Sequence, residues 1–378
     1  MKICVNGLSV VTGGGLINLS GLLRALAAED RTNQYLVLAP ERRVEHFITD
    51  APNFRIRPMH AGVAGVAGRL LWEQMRLPKL LARERIDLLF SPANFAPLRL
   101  PPGIRSVIKV QNIAPFSNVA LHLERGAKRK ARLRLLRHLT VASLKHADAA
   151  IFISEASRAL AGRHTRHPVV IYDGLTAAGP AAARDGSEVA SRYGIKSPFV
   201  LCVADWYPHK NLETLVRGFA LIPAARRQEL TLVLVGRPIV TSYAEDLRRE
   251  IEALGPSVGV LTVAGMPHAD LEALYERAAV YAFPSLVEAG GTTLVEAMAA
   301  GRPIVTSSVE PMPEFCGEAA LYCDPHRPGE WASTMARALT DERAARTLGD
   351  TGRTRAASFR WREAARRTIE LFEAVAPR

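Results

Sequence analysis

Short apolar runs alternate with segments of helical periodicity along nearly all of this chain, and no other feature restricts its fold as much. Residues 3–5, 35–39, 88–90, 107–110 and 149–153 read as strands in the first half. Residues 199–203, 231–235, 260–263, 280–283 and 303–306 do so in the second. Helical spacing fills 16–29, 70–85, 127–146, 212–220, 243–254 and 270–278. Strand–helix alternation of this kind predicts α/β architecture, with parallel sheets wrapped by helices. Residues 173–197 interrupt the pattern with Gly174, Gly179, Pro180, Gly186, Gly194 and a run of alanines, a linker composition. The halves on either side are each large enough for one doubly wound domain. Such sheets bind ligands at the carboxyl ends of their strands, and two of them facing each other form a cleft. The last segment, 361–374, has helical spacing and is suited to packing across the boundary.

Composition removes whole classes. With 48% hydrophobic and 23% charged residues, the chain is neither disordered nor collagen-like nor a coiled coil. At this length roughly 75% of the unfolded surface can be buried, so no disulfide or metal staple is needed. Cys4, Cys202, Cys316 and Cys323 form no C-x-x-C pair, which argues against a zinc site, and their sparseness points to a reducing compartment. No run approaches the roughly 18 apolar residues of a membrane span. The opening Met1-Lys2-Ile3-Cys4-Val5-Asn6-Gly7 is too short for a signal peptide, so a soluble cytoplasmic protein is expected. Lys and Arg number 49 against 37 Asp and Glu, a net charge of +12 that attracts nucleic acid, anionic lipid or phosphorylated substrates.

Three segments carry chemistry. Thr12-Gly13-Gly14-Gly15 lies between the first strand and a helix expected from Leu16, where bare backbone and a helix N-terminus favour an anion. A flexible strand–helix turn is the plain alternative. Lys210, in Pro208-His209-Lys210-Asn211, follows the strand at 199–203 and offers a point charge suited to phosphate, although a lone lysine is most often a solvated surface group. The third segment is the most specific: Pro284-Ser285-Leu286-Val287-Glu288-Ala289-Gly290-Gly291-Thr292-Thr293-Leu294-Val295-Glu296. Glu288 sits in a loop after a strand, Gly290 and Gly291 allow close approach of backbone, and Thr292 and Thr293 supply hydroxyls at a helix start. Glu296 lies about one turn into that helix, which Gly301 stops. Glu296 could serve as a dipole partner near the helix start. In the functional reading, the two carboxylates bind sugar hydroxyls while amides bind phosphate.

These residues resemble the Glu-x7-Glu signature of retaining glycosyltransferases of the GT-B fold, family four of the sugar transferases. The likeness extends along the chain. MKICVNGLSVVTGGG is similar to the family's first strand and glycine loop. Leu71-Trp72-Glu73-Gln74-Met75-Arg76-Leu77-Pro78, Asp87-Leu88-Leu89-Phe90-Ser91-Pro92 and Ile151-Phe152-Ile153-Ser154-Glu155-Ala156-Ser157-Arg158 are similar to its N-terminal domain. Tyr207-Pro208-His209-Lys210-Asn211-Leu212 matches its lysine motif, and Phe359-Arg360-Trp361 resembles the start of the helix that returns to the first domain. The resemblance implies two Rossmann-like domains facing a cleft. Residues 1–175 would be acceptor-side, 176–358 would bind a nucleotide-sugar, and 359–378 would form the returning helix. It implies that Lys210 binds the donor diphosphate, Glu288 faces the donor sugar and Glu296 binds the ribose. Gly290, Gly291, Thr292 and Thr293 would bind sugar and phosphates, and Gly14 and Gly15 would close over the phosphates. It implies a GDP- or UDP-linked donor as substrate, with no cofactor and no metal. A saccharide acceptor, most readily one carried on a polyprenyl diphosphate in surface polysaccharide or lipopolysaccharide assembly, follows, with mannose or a related sugar transferred.

Departures from the family pattern shape the expectations. Ala204-Asp205 stands where a Gly-Arg pair is frequent, and Arg237 at the end of a neighbouring strand is the candidate replacement. Glu288-Ala-Gly-Gly-Thr-Thr293 replaces the common E-G-F-G-L-P and resembles a polysaccharide-assembly subgroup. Gln111 and Asn112 occupy the acceptor-side position where a histidine is frequent. Arg125, Lys128, Arg129, Lys130, Arg132, Arg134 and Arg137 occur with no intervening acid and amount to more than half of the net charge. At about 100° per residue they do not make one clean face. They suit an anionic membrane surface at the inner face of the cell membrane, or a plain solvated helix. No helix-turn-helix, RNA-binding aromatic pair or zinc finger accompanies them, so nucleic acid is not expected. The rival readings are another GT-B enzyme, such as a nucleotide-sugar epimerase or hydrolase, and a non-catalytic GT-B binding module.

Overall fold

The first apolar run becomes strand β1 (Lys2–Asn6), at the centre of a seven-stranded parallel sheet. Its partners are β2 (Gln34–Pro40), β3 (Phe54–Met59), β4 (Leu88–Ser91), β5 (Arg105–Val110), β6 (Ala149–Phe152) and β7 (Pro168–Val170), in the order β3-β2-β1-β4-β5-β6-β7. Successive side chains of β1 enter opposite layers. Ile3 and Val5 pack with Leu19, Leu22, Leu23 and Leu26 of the helix Gly13–Glu29, while Cys4 packs with Leu77 and Leu81 of the helix Leu77–Arg83. Both faces are covered, so β1 reads as an unbroken apolar run without polar alternation.

The structure is a computed structural model that describes residues 1–10, 13–59, 65–176 and 184–376. It divides into two units: Met1–Ser117, Gly126–Thr176 and Phe359–Arg378 form the first, and Asn118–Arg125 with Ala177–Ser358 the second. Asn118–Arg125 thus groups with the second unit although it lies within the expected 1–175 domain. The closing helix Trp361–Val375 adds Ala364, Ala365, Leu371 and Phe372 to the first unit's core, where Phe372 meets Phe90 edge-on at 5.2 Å. Its entry is fixed by Leu175 N donating to Phe359 O at 2.9 Å and by Trp361 Nε1 donating to Thr176 Oγ1 at 2.8 Å. A Cβ on Gly174 would stand 2.2 Å from Trp361 N. This glycine, expected as linker, is therefore required by close packing.

The second unit repeats the plan with β8 (Phe199–Val203), β9 (Thr231–Val235), β10 (Val260–Val263), β11 (Val280–Phe283), β12 (Ile304–Ser307) and β13 (Ala320–Cys323), all parallel, in the order β10-β9-β8-β11-β12-β13. In each sheet the order reverses once, between β1 and β4 and between β8 and β11. Loops leaving the carboxyl ends at such a point diverge and leave a crevice, the usual ligand site of doubly wound sheets.

The structure differs from expectation in four places. Strands β3, β7 and β13 were not anticipated. The expected helix 70–85 is two helices, Gly65–Met75 and Leu77–Arg83, because Pro78 has no N–H to continue the first. The expected linker 173–197 contains the helix Gly186–Arg192, whose N-terminus is capped by the Asp185 side chain bonding Ser187 N at 2.7 Å; Gly179 and Pro180 lie outside the described residues. The helix expected from Leu16 starts at Gly13, so Gly13–Gly15 form its first turn and not a loop before it, with Gly13 at φ 65°; Thr12 lies outside the described residues. Among the described residues no helix is long and apolar enough to cross a membrane.

Candidate functional site

The crevice of the second sheet lies between the loops that follow β8 and β11. After β8 the chain makes a 3-10 turn, Pro208–Lys210, which ends at Asn211 with φ 56°, in the left-handed region that asparagine tolerates better than most residues. Asn211 is buried. Its Nδ2 donates to Pro284 O at 3.2 Å and to Pro325 O at 2.8 Å, and its Oδ1 accepts from Thr214 Oγ1 at 2.8 Å. The turn is tied to the neighbouring loop as well: Leu286 N and Ser285 Oγ both donate to His209 O, at 2.8 and 3.1 Å. On the far side Ser307 Oγ donates to Ser285 O at 2.6 Å and Thr306 Oγ1 to Phe283 O at 2.9 Å. Residues 283–287 are thereby held from both flanks, and Glu288 is the first to emerge from the buried run.

This scaffold brings Lys210 and Glu288 together. Lys210 Nζ donates to Glu288 Oε1 at 2.5 Å, and the side chains are 17% and 13% exposed. The ammonium also lies 5.4 Å from the centroid of the Phe283 ring. A partly desolvated pair of this kind is stronger than a surface ion pair, yet it still reaches solvent and can exchange partners. His209 contributes no charge, since burial, with the Lys210 charge adding, pushes its imidazole down to about 3.

The helix Thr292–Ala299 follows. Its N-terminus has no side-chain cap and no acid in the first turn, an arrangement favourable to an anion. Thr292 and Thr293 are partly exposed there, as is Gly290. Gly291 has another role than the one expected: a Cβ there would stand 2.4 Å from the buried Phe315 ring, so packing requires glycine at this position. Glu296 is buried and accepts from Tyr275 Oη at 3.0 Å; burial pushes its carboxyl up to about 7, against the opposing pull of His268 and that hydrogen bond.

Arg237 is not bonded to Lys210 or Glu288. Its Nε and NH2 grip the Asp205 carboxylate as a fork, and its backbone N donates to Asp205 Oδ1 at 2.9 Å. The acid at the position where the family often has arginine therefore holds an arginine from the next strand. The two strand ends meet closely, since a Cβ on Gly236 would stand 1.8 Å from Ala204 O. Asn211 and Ser285, quoted from the sequence only as motif neighbours, and Tyr275 and Phe283, given no role there, support the site.

Gly14, Gly15, Gln111 and Asn112 belong to the first unit. Nothing lies within 4 Å of a Cβ built on Gly14, whereas one on Gly15 would come 3.2 Å from Gln111 Oε1. Gly15, Gln111 and Asn112 border a cavity of about 230 Å³. The basic segment is not continuous. Arg125 precedes Gly126 (φ 92°), groups with the second unit and pairs with Asp246. The other six cations lie on the helix Ala127–His146, where Lys128, Arg132 and Arg134 are exposed and Arg129, Lys130 and Arg137 half-buried. Burial pushes the thiols of Cys4, Cys202 and Cys316 up to about 12 and that of Cys323 to about 11, so none offers a thiolate near neutral pH.

Two Rossmann-like units of this strand order constitute the GT-B fold. A sucrose-phosphate synthase of Thermosynechococcus elongatus shares it, at a TM-score of 0.75 and 22% identity over 99% of this chain and 98% of that one. Residues 189–355, which contain Lys210, Glu288 and Glu296, match the family of glycosyl transferases group 1. The serotype-specific mannosyltransferase WbdA of Escherichia coli is 32% identical over 182 residues, which are 48% of this chain and 22% of that protein. The chain thus spans about a fifth of the length of that relative. The O-antigen chain mannosyltransferase B of Escherichia coli is 25% identical over 328 residues, 81% of this chain and 83% of the relative.

Proposed function

We propose that this protein is a retaining, family-four glycosyltransferase that moves a sugar from a nucleotide-sugar to a hydroxyl of a saccharide acceptor in surface polysaccharide or lipopolysaccharide assembly. The observation that carries the reading is the Lys210–Glu288 pair at the switch point of the second sheet, followed at once by an uncapped helix N-terminus with Glu296 behind it. The match of residues 189–355 to glycosyl transferases group 1 supports it, and the names of the two relatives favour mannose as the sugar; the carrier is assigned as GDP or UDP.

On this reading the incoming diphosphate draws Lys210 away from Glu288. The ammonium and the amides at Thr292 and Thr293 then neutralise the leaving group, and Gly290 leaves room beside the sugar. Glu288, released, accepts from hydroxyls of the donor sugar, and Glu296 accepts from the ribose. Gly14 and Gly15 are assigned to the phosphates, and Gln111 and Asn112 to the acceptor. The bond from the anomeric carbon to the phosphate oxygen breaks with its electron pair going to the phosphate. The acceptor oxygen attacks the same face and its proton passes to that phosphate oxygen. Lysine and amides supply the positive charge, so no metal is required, and no cofactor enters. The acceptor is carried on a polyprenyl diphosphate, and the six helix cations attach the enzyme to anionic lipid at the inner face of the membrane, at about 1 kcal/mol each. Liposome pelleting checks the attachment: equal binding to neutral and anionic vesicles would refute it.

A thermal-shift screen of UDP-, GDP- and ADP-sugars, with and without Mg²⁺, tests the donor assignment. One nucleotide class should raise the melting temperature of the wild type, equally with and without Mg²⁺, and should fail to do so in Lys210→Ala. Stabilisation that depends on Mg²⁺ contradicts the metal-independent mechanism. Donor hydrolysis with no transfer to any acceptor would instead mark an epimerase or hydrolase.

A further inference from the structure

The cavity of the first unit lies at the carboxyl ends of β1, β4 and β5, and among the described residues that line it Arg69 is the sole charged one. Arg69 comes from the helix Gly65–Met75, and its side chain is 19% exposed. Among the described residues no group accepts a hydrogen bond from it, and its Nε is buried without a partner. The nearest acid, Glu73 Oε1, is 3.8 Å from that Nε, beyond hydrogen-bond range. Glu73 is itself 2% exposed and already accepts from Asn6 Nδ2 at 3.1 Å. Burial raises its pKa, against the opposing pull of the Asn6 hydrogen bond and the Arg69 charge. A second donor is left over in the same cavity: Gln111 Nε2 is buried with no partner.

The wall that carries Gln111 is set in advance. Gln111 N and Asn112 N donate to Asn94 Oδ1 at 3.1 and 3.0 Å, and Asn94 Nδ2 donates to Asn112 O at 2.6 Å. A buried guanidinium Nε and a buried amide N–H without hydrogen-bond acceptors are costly unless a ligand supplies the acceptors, and the Glu73 carboxylate at 3.8 Å answers the charge of Arg69 without accepting from it. Arginine presents parallel N–H groups that match a carboxylate or a phosphate. The volume of about 230 Å³ is below the roughly 300–1,000 Å³ of sites for drug-sized ligands, and suits a group the size of one sugar.

We propose that this cavity recognises an anionic group of the acceptor, a carboxylate or a phosphate, through the Arg69 guanidinium with Gln111 Nε2 as the second donor. The inference rests on the glycosyltransferase reading only in calling the ligand an acceptor; the anion site stands on the first unit alone.

Titration calorimetry on the full chain with methyl glucuronide, mannose 1-phosphate and neutral methyl mannoside tests it. At least one charged sugar should bind about 10- to 100-fold tighter than the neutral one, and Arg69→Met should remove that preference. The glucuronide alone discriminating assigns a carboxylate, and the sugar phosphate alone assigns a phosphate. Should Arg69→Met not fold, Gln111→Leu must weaken the charged probe by about tenfold, and Arg69→Lys must keep part of the preference. Equal binding of all three probes, or a preference that survives Arg69→Met, overturns the site. GDP and UDP titrated against wild type and Lys210→Ala separate the two claims. Lys210-dependent nucleotide binding without sugar discrimination removes the anion site alone. Arg69-dependent discrimination without nucleotide binding removes the glycosyltransferase reading and leaves the site.

Discussion

Lys210 Nζ and Glu288 Oε1 stand 2.5 Å apart across the switch point of the second sheet, joined by loops from strands that are neighbours in space and 78 positions apart in sequence. Each neutralises the other before a ligand arrives. Either Lys210→Met or Glu288→Gln leaves the other charge unpaired, so the double variant should cost less stability than the sum of the two single changes. A double-mutant cycle by chemical denaturation should return a coupling of about 1–3 kcal/mol, and additivity within about 0.5 kcal/mol would show that the pair is not coupled in solution.

Glu296 gives stability a distinctive pH dependence. With its carboxyl pushed from 4.5 up to about 7, the folded chain holds a proton that the unfolded chain has released between those values. The Glu296 contribution therefore falls as pH rises through that window, by up to about 1.4 kcal/mol per unit, and is constant above it. Glu296→Gln should flatten this part of the curve. In the same window nucleotide binding should tighten as pH rises, because the carboxylate and not the acid accepts from two ribose hydroxyls. Parallel stability curves for wild type and variant from pH 4.5 to 8 would contradict the assignment.

Asn211 sets the Lys210 turn through three hydrogen bonds and a left-handed backbone. Asn211→Gly keeps the backbone conformation and leaves Pro284 O and Pro325 O without their donor. A loss of about 1–3 kcal/mol is expected by denaturant titration. Turnover should fall further than the small stability loss alone explains, as Lys210 loses its placement; unchanged turnover at saturating donor would assign Asn211 to folding alone.

Arg237, held by Asp205, is the candidate for the phosphate arginine that family-four transferases often carry at the Asp205 position. Arg237→Ala should weaken donor binding by about tenfold, the scale of one charge-assisted contact. Asp205→Asn, which keeps the guanidinium and loosens its fork, should fall between that variant and wild type. If Arg237→Ala leaves turnover unchanged while Lys210→Ala abolishes it, Arg237 has no part in holding the donor.

The central strands were legible because burial on both faces writes them as apolar runs; β8, β9 and β11 coincide with their sequence limits, as does the edge strand β10. The overlooked β3, β7 and β13 are all edge strands. An edge is less deeply covered and its residues alternate or are few: β3 carries Arg55 and Arg57, both paired with Glu84, and Pro58, which an edge tolerates. At the candidate site, Lys210 and Glu288 were legible as motif residues on strand-to-helix loops, and Glu296 as one on the helix that follows. Their surroundings were not, because the partners are distant in sequence: Tyr275 on Glu296, Asp205 on Arg237, Pro325 O on Asn211. The Gly291 contact with Phe315 was hidden for the same reason, and packing there looked like ligand approach. Arg69 drew no notice because only the fold shows that it borders a cavity whose described lining holds no acid.

The most direct measurement is release of nucleoside diphosphate from the donor selected by thermal shift, compared among wild type, Lys210→Ala and Glu288→Ala at matched melting temperature. Release should be measurable for the wild type and lower by about 100-fold or more in each variant, the scale of losing one preorganised group at the developing charge. Release that both variants retain in full would contradict the assignment of this pair to the donor, and with it the glycosyltransferase mechanism built on Lys210 and Glu288.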